Sequence, residues 1–320
     1  MSFWEDKNIL VTGGAGFLGS FVVEKLIREK GVSSGAIRIP RSNVLDLTKQ
    51  ENCVRAVKDI DIIVHVAARG GGIDYNRRYP GKLFYDNISM NTNLMEAARE
   101  ENVEKFIGIG TVCSYPKYTS IPFKEGNLWN GYPEETNAPY GLAKKMLLIQ
   151  SQSYREQYSF NSINLLLVNL YGPRDNFSDL DSHVIPAIIK KIVDANSENK
   201  KEITAWGTGS ASREFLYVED AATAIIMAAE KYNKSNPVNI GSGKEITIKE
   251  LITIIAELVG FKGEIKWDTT KPDGQPRRCL DVSKAKAEFG FEANVDFRNG
   301  LKKTIGWYEK ERNSIQKAKI

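Results

Sequence analysis

Over the first two-thirds of the chain, short apolar runs alternate with amphipathic stretches. Nearly continuous apolar runs such as Ile60-Asp61-Ile62-Ile63-Val64 fit strands buried on both faces of a parallel sheet. Residues 7–11, 36–39, 60–66, 105–109 and 162–168 read as strands of this kind. Between them, apolar positions at helical spacing mark 19–30, 49–57, 87–100 and 140–158. Alternation of this form predicts an α/β fold with a right-handed, doubly wound parallel sheet.

After Gly172-Pro173 the pattern changes. A loop rich in Asp, Asn and Ser leads to a helix near 182–196. Residues 215–232 read as helical and rejoin the first domain, and Val238-Asn239-Ile240 reads as a short strand. Beyond Gly241 come a helical stretch over 248–259, the turn-rich run Lys271-Pro272-Asp273-Gly274-Gln275-Pro276, and two short helices. The expected organisation is one domain of residues 1–172 plus about 211–240, and a smaller, interleaved C-terminal α/β domain of about 173–210 plus 241–320. A ligand cleft belongs between them.

Composition narrows the function classes. The 320 residues are 42% hydrophobic and 26% charged, as in ordinary globular enzymes. The net charge of +4 is small and dispersed, so no nucleic-acid partner is expected. No apolar run approaches the ~20 residues of a membrane span, and the N-terminus lacks the form of a signal peptide. Three widely spaced cysteines and two histidines leave no zinc cluster to expect. A cytoplasmic protein without membrane or metal partner is the expectation.

Two motifs carry chemistry. Gly13-x-x-Gly16-Phe17-Leu18-Gly19 follows the strand Ile9-Leu10-Val11 and opens a helix. Glycines there permit a tight turn and close backbone approach, and a helix N-terminus faces an anion such as a dinucleotide pyrophosphate. Such a turn by itself is weak evidence; its place between strand and helix makes the sheet Rossmann-type. At the end of the second strand, an NAD enzyme carries an acidic residue for the ribose 2′-hydroxyl. Here the chain reads Arg38-Ile39-Pro40-Arg41-Ser42. Arg38 and Arg41 suit a 2′-phosphate and favour NADP(H), although two surface arginines would look the same. Asp46 and Leu47 could meet the adenine.

The second motif is Tyr140-Gly141-Leu142-Ala143-Lys144, which sets a phenol and an ammonium one helical turn apart. Lys144 places positive charge beside Tyr140, favours phenolate and could bind ribose hydroxyls. Thr111, just after the fourth strand, offers a hydroxyl to a substrate carbonyl.

At this point the chain resembles the extended short-chain dehydrogenase/reductase family, which acts on nucleotide sugars. Within it the likeness is to the branch that epimerises and reduces GDP-4-keto-6-deoxy-hexoses. The segments that carry it include Gly70-Gly71-Gly72-Ile73, Cys113-x-Tyr115-Pro116-Lys117, Pro133-Glu134-Glu135-Thr136-Asn137-x-Pro139-Tyr140 and Asn169-Leu170-Tyr171-Gly172-Pro173-x-Asp175-Asn176-Phe177. Ser182-His183-Val184-Ile185-Pro186, Trp206-Gly207-x-Gly209, Arg213-Glu214-Phe215-Leu216 and Lys271-Pro272-Asp273-Gly274 extend it over nearly the whole chain.

The resemblance implies inversion at C3 and C5 followed by reduction of the C4 ketone with NADPH. It assigns Cys113 as base and His183 as acid, with Tyr140, Lys144 and Thr111 serving the ketone; Thr111 stands where the family generally has Ser. It adds Ala67, Asn169, Leu170 and His183 on the cofactor side. Lys191, Trp206, Arg213 and Asp273 fall on the side of the nucleotide-diphosphate sugar. A homodimer through the two long helices at 87–100 and 140–158 is also implied. Cys53 and Cys279 match no family position and read as structural. The rivals are a nucleotide-sugar 4-epimerase that retains NAD, a 4-ketoreductase that skips an inversion, and a non-catalytic NADP-binding protein.

Overall fold

In the computed structural model, which describes residues 2–179, 181–271 and 275–317, the apolar runs and amphipathic stretches alternate as βα units. In chain order they are β1 (Ile9–Thr12), α1 (Phe17–Arg28), β2 (Ile37–Arg38), α2 (Gln50–Val57), β3 (Ile62–His65), α3 (Ile73–Arg78), α4 (Pro80–Glu100), β4 (Lys105–Thr111), α5 (Ala138–Tyr158) and β5 (Ser162–Leu167). There follow β6 (Asn169–Tyr171), α6 (Val184–Ser197), β7 (Glu202–Trp206), β8 (Ser212–Tyr217), α7 (Val218–Lys231) and β9 (Val238–Ile240). The last elements are β10 (Glu245–Thr247), α8 (Ile248–Val259), β11 (Glu264–Asp268), α9 (Ser283–Phe289) and α10 (Phe297–Lys317).

Six strands form one parallel sheet in the order β2-β1-β3-β4-β5-β9. Every residue of β1, β3, β4 and β5 is buried because helices cover both faces. Period-two alternation divides their side chains. Ile9, Val11, Ile62, Val64 and Ile107 face a core with α1 and α7. Leu10, Ile63 and Phe106 face a second core with α2, α4 and α5. Each such buried aliphatic side chain contributes about 2 kcal/mol of transfer free energy. The winding reverses between β1 and β3, where crevices open beyond the C-terminal strand ends in folds of this kind.

A separate core joins α6, α8 and α10 to a three-stranded sheet (β10-β8-β6) and a two-stranded sheet (β11-β7). Local chemistry sets the limits of α8. Thr247 and Glu250 form a capping box at its start, and Gly260, in the left-handed conformation, ends it.

Two expectations need correction here. Residues 215–217 are strand, not helix: Phe215, Leu216 and Tyr217 are a bulky buried run paired in parallel with β6, and the helix begins only at Val218. The last helix is long rather than short. Its Leu301, Ile305 and Tyr308 form one apolar stripe packed into the separate core with α6 and α8. Among the described residues, no helix is long and apolar enough to cross a membrane.

Candidate active site

A cleft of about 2050 Å³ runs along the C-terminal edge of the main sheet. It is larger than the roughly 300–1,000 Å³ that serves one drug-sized ligand, so two ligands can lie side by side. One end is the β1–α1 turn, where Gly13, Gly16, Phe17, Leu18 and Gly19 line the wall. Gly13 has φ +68°, and a Cβ there would lie 3.0 Å from the backbone of Ala67. At Gly19 a Cβ would lie 2.1 Å from the Gly13 carbonyl oxygen. Only glycine lets the helix start against the turn and the turn against the end of β3. No side chain caps α1, so its first amides remain available to an anion.

Beyond the turn, Arg41, Asp46, Leu47 and Ala67 line the cleft, with Pro40 and Ser42 beside Arg41. Asp46 accepts from the Thr48 amide and hydroxyl at 3.1 and 2.9 Å, and the Thr48 amide chiefly holds its carboxyl below the usual range. Arg38 does not join them. One of its guanidinium nitrogens donates to the carbonyls of Ala56 and Lys58, at 3.0 and 2.6 Å, so it closes the end of α2 and forms no part of the cleft wall. The expectation for Arg38 is corrected on this ground: a strand only two residues long leaves its side chain within reach of free helix-end carbonyls. Arg69, unforeseen in the sequence, lines the cleft instead, and Asn87 grips its backbone N–H and C=O at 3.0 and 2.8 Å.

Beneath the cleft lies a buried polar network that the motifs did not reveal. The Thr12 hydroxyl meets His65 Nδ1 at 2.8 Å and accepts from the Ala67 amide at 3.1 Å. His65 Nε2 meets Asn91 Oδ1 at 2.9 Å, and Asn91 Nδ2 donates to the Ala143 carbonyl at 3.1 Å. Burial, reinforced by Lys144, pushes the imidazole down to about 3, so His65 is neutral. The chain of bonds ties the residue before Gly13 to the residue before Lys144.

Lys144 is 3% exposed, and its Nζ has no hydrogen-bond partner among the described residues. Burial lowers it to about 8. A buried ammonium without a partner is costly unless a ligand completes its shell. Ribose hydroxyls have the chemistry to do so, and with the bare glycine turn this makes the cleft fit a dinucleotide. Tyr140 lines the same cleft. Burial, with Cys113 nearby, raises its phenol above the usual range. Burial therefore opposes the phenolate expected from Lys144.

Thr111 ends β4, and its hydroxyl accepts from the Cys113 amide at 3.2 Å, folding the chain so that both line the cleft. His183 precedes α6, its side chain caps nothing, and it also lines the cleft; surrounding protein lowers its imidazole although the residue is exposed there. Asn169 and Leu170 of β6 lie on the same wall. Further out are Lys191, whose Nζ donates to the Thr204 carbonyl at 2.8 Å, and Arg213, which donates to the Ser212 carbonyl at 2.7 Å. Trp206 is 60% exposed at the rim, with Lys271 5.7 Å from its ring centroid. Asp273 lies outside the described residues. Cys53 and Cys279 are buried, and burial pushes each up to about 12. Arg278 and Asp175, given no site role in the sequence reading, also reach the cleft. Burial raises the Asp175 carboxyl to about 7.

The NAD dependent epimerase/dehydratase family model matches residues 9–241. GDP-L-fucose synthase 1 of Arabidopsis thaliana is 39% identical over 315 residues, covering 97% of this chain and 96% of its own. A GDP-L-fucose synthetase from Naegleria fowleri, solved bound to NADP, superposes with a TM-score of 0.86 at 25% identity, covering 98% of this chain and 97% of its own. A GDP-6-OMe-4-keto-L-xylo-heptose reductase from C. jejuni gives a TM-score of 0.88 at 26% identity, covering 95% and 97%.

Proposed function

Because the chain belongs to the NAD dependent epimerase/dehydratase family, we propose that it converts GDP-4-keto-6-deoxy-D-mannose to GDP-L-fucose, by 3,5-epimerisation and NADPH-dependent 4-reduction. The observation that carries this reading is the meeting of Tyr140, Thr111, Cys113 and His183 in one cleft, with the unpartnered ammonium of Lys144 buried one helical turn from Tyr140. The first two suit ketone chemistry. The second two are what carbon inversion needs in addition.

The C4 ketone makes the hydrogens on C3 and C5 acidic. Cys113 Sγ, as thiolate, takes one of them; the S–H bond forms and the C–H electron pair moves into the ring as an enolate. Tyr140 and Thr111 hydroxyls donate to the enolate oxygen. His183 returns a proton to the opposite face of the carbon, which inverts it. Cys113 then releases its proton to solvent in the cleft and His183 regains one, which resets both groups for the second carbon. When bound, NADPH supplies the hydride for C4. Tyr140, kept protonated by burial, gives its proton to the C4 oxygen, and Lys144 holds ribose hydroxyls with the charge it otherwise leaves unmatched. Arg41 and Ser42 would hold the 2′-phosphate, Asp46 and Leu47 the adenine, and Lys191, Trp206 and Arg213 the sugar nucleotide.

In this reading the part built on residues 1–172 and about 211–240 holds the dinucleotide, and the remainder holds the sugar nucleotide. Two copies pair through α4 and α5, consistent with exposed Tyr85 and Ile149 there, and the enzyme works in the cytoplasm. The test is incubation with GDP-4-keto-6-deoxy-D-mannose and NADPH, with loss of the nicotinamide band and NMR of the product. GDP-L-fucose is the expected product. A reduced sugar of unchanged C3 and C5 configuration would make the protein a 4-ketoreductase, and no reduction would exclude both.

A further inference from the structure

We infer that Arg278 is a positioning residue for Cys113: it holds a fixed positive charge 3.6 Å from the sulfur and sets the reactivity of that sulfur in the cleft. Cys113 and Arg278 come from distant parts of the chain, 165 residues apart, and meet only through the fold. The Arg278 backbone is stitched to β8, where its carbonyl accepts from the Glu214 amide at 3.1 Å. Next to it, the Cys279 carbonyl accepts from the Phe123 amide at 2.8 Å, binding the segment to the first domain as well.

The side chain is equally constrained. Arg278 is 8% exposed. Its Nε and Nη2 both donate to Gln275 Oε1, at 3.2 and 2.8 Å, and Gln275 Nε2 donates to the Lys117 carbonyl at 2.8 Å. With the Nε–Nη2 edge of the guanidinium held this way, Nη1 is left to Cys113 Sγ, 3.6 Å away. Gln275 is neutral, so nothing in this clamp cancels the arginine's charge. A planar cation held in a partly dry site attracts negative charge on sulfur. Tyr140, which Cys113 neighbours in the cleft, is a phenol whose proton burial holds, so it carries no negative charge to compete for the arginine.

The role of Cys113 as a base rests on the proposed reaction, whereas its reactivity as a thiol does not. The test is therefore made without substrate. Iodoacetamide is uncharged, so removing a cation does not change its steering into the cleft. The thiolate attacks its methylene carbon, an S–C bond forms and iodide leaves. Alkylation of the Cys113 peptide, followed by mass spectrometry, separates it from buried Cys53 and Cys279. Arg278→Gln is expected to slow that alkylation about tenfold while NADPH still binds. Arg278→Lys should restore part of the rate. Gln275→Glu preserves shape and supplies a carboxylate that neutralises the guanidinium, so it should also slow alkylation, and it decides the matter if Arg278→Gln does not fold. An unchanged rate in a folded variant, with only KM for the sugar nucleotide raised, would make Arg278 a substrate-binding arginine and overturn the inference. Failure of the proposed reaction would instead appear as absent turnover in the unaltered enzyme.

Discussion

Replacing Lys144 with methionine should make the ligand-free protein more stable while disabling it. Methionine nearly matches the length of the lysine stem and removes only the ammonium. That ammonium is 3% exposed and unpartnered, and burial lowers it from 10.5 to about 8. For a base whose folded value is depressed, the cost of burying the charge is fully present below the folded value and fades as pH rises toward the unfolded one. Below pH 8 that cost is about 3 kcal/mol, and at pH 9.5 it has fallen to about 1 kcal/mol. No discount for solvent screening applies to a group this buried. Guanidinium chloride unfolding of both proteins without cofactor, at pH 7 and pH 9.5 and with equal denaturant slopes, reads the difference. Lys144→Met should be more stable at pH 7 by an amount of that order, less so at pH 9.5, and should lose NADPH affinity and hydride transfer. A variant that is no more stable at pH 7, or whose gain does not shrink with pH, would refute the argument that Lys144 is held at a cost for its ligand.

Other changes separate the parts of the site. Tyr140→Phe removes the proton donor and should slow hydride transfer by about 10²–10⁴-fold in single-turnover measurements; an undiminished rate would remove Tyr140 from the chemistry. Gly19→Ala places a Cβ 2.1 Å from the Gly13 carbonyl oxygen. It should cost on the order of 1–3 kcal/mol of stability and weaken NADPH binding, as calorimetry and fluorescence titration would show, and normal values for both would mean the turn can relax. Arg41→Ala should raise the Kd for NADPH about tenfold with little effect on NADH, whereas equal losses would leave Arg41 no part in choosing the cofactor.

Much of this arrangement was legible because it is local. Strand–turn–helix glycine spacing and the four-residue step from Tyr140 to Lys144 are short-range facts of the chain, and period-two burial of both sheet faces shows directly as apolar runs. What escaped is long-range or depends on environment. Arg38 and Arg41 look alike in sequence, and only the end of α2 decides that Arg38 donates to Ala56 and Lys58. His65 sits in an apolar run and Asn91 in a mixed helical stretch, with nothing local to mark them as a network. Phe215-Leu216-Tyr217 is too short an apolar run to separate strand from helix by periodicity, and pairing with β6 decides it. The proton on Tyr140 depends on how deeply the cleft buries it, which a positive neighbour four residues away does not predict.

The most direct test of the central claim, that one cleft both inverts and reduces, is turnover of GDP-4-keto-6-deoxy-D-mannose with NADPH in D2O. Deuterium at C3 and C5 of a reduced product, lost in Cys113→Ser, is the predicted result. Reduction without deuterium at either carbon would contradict it.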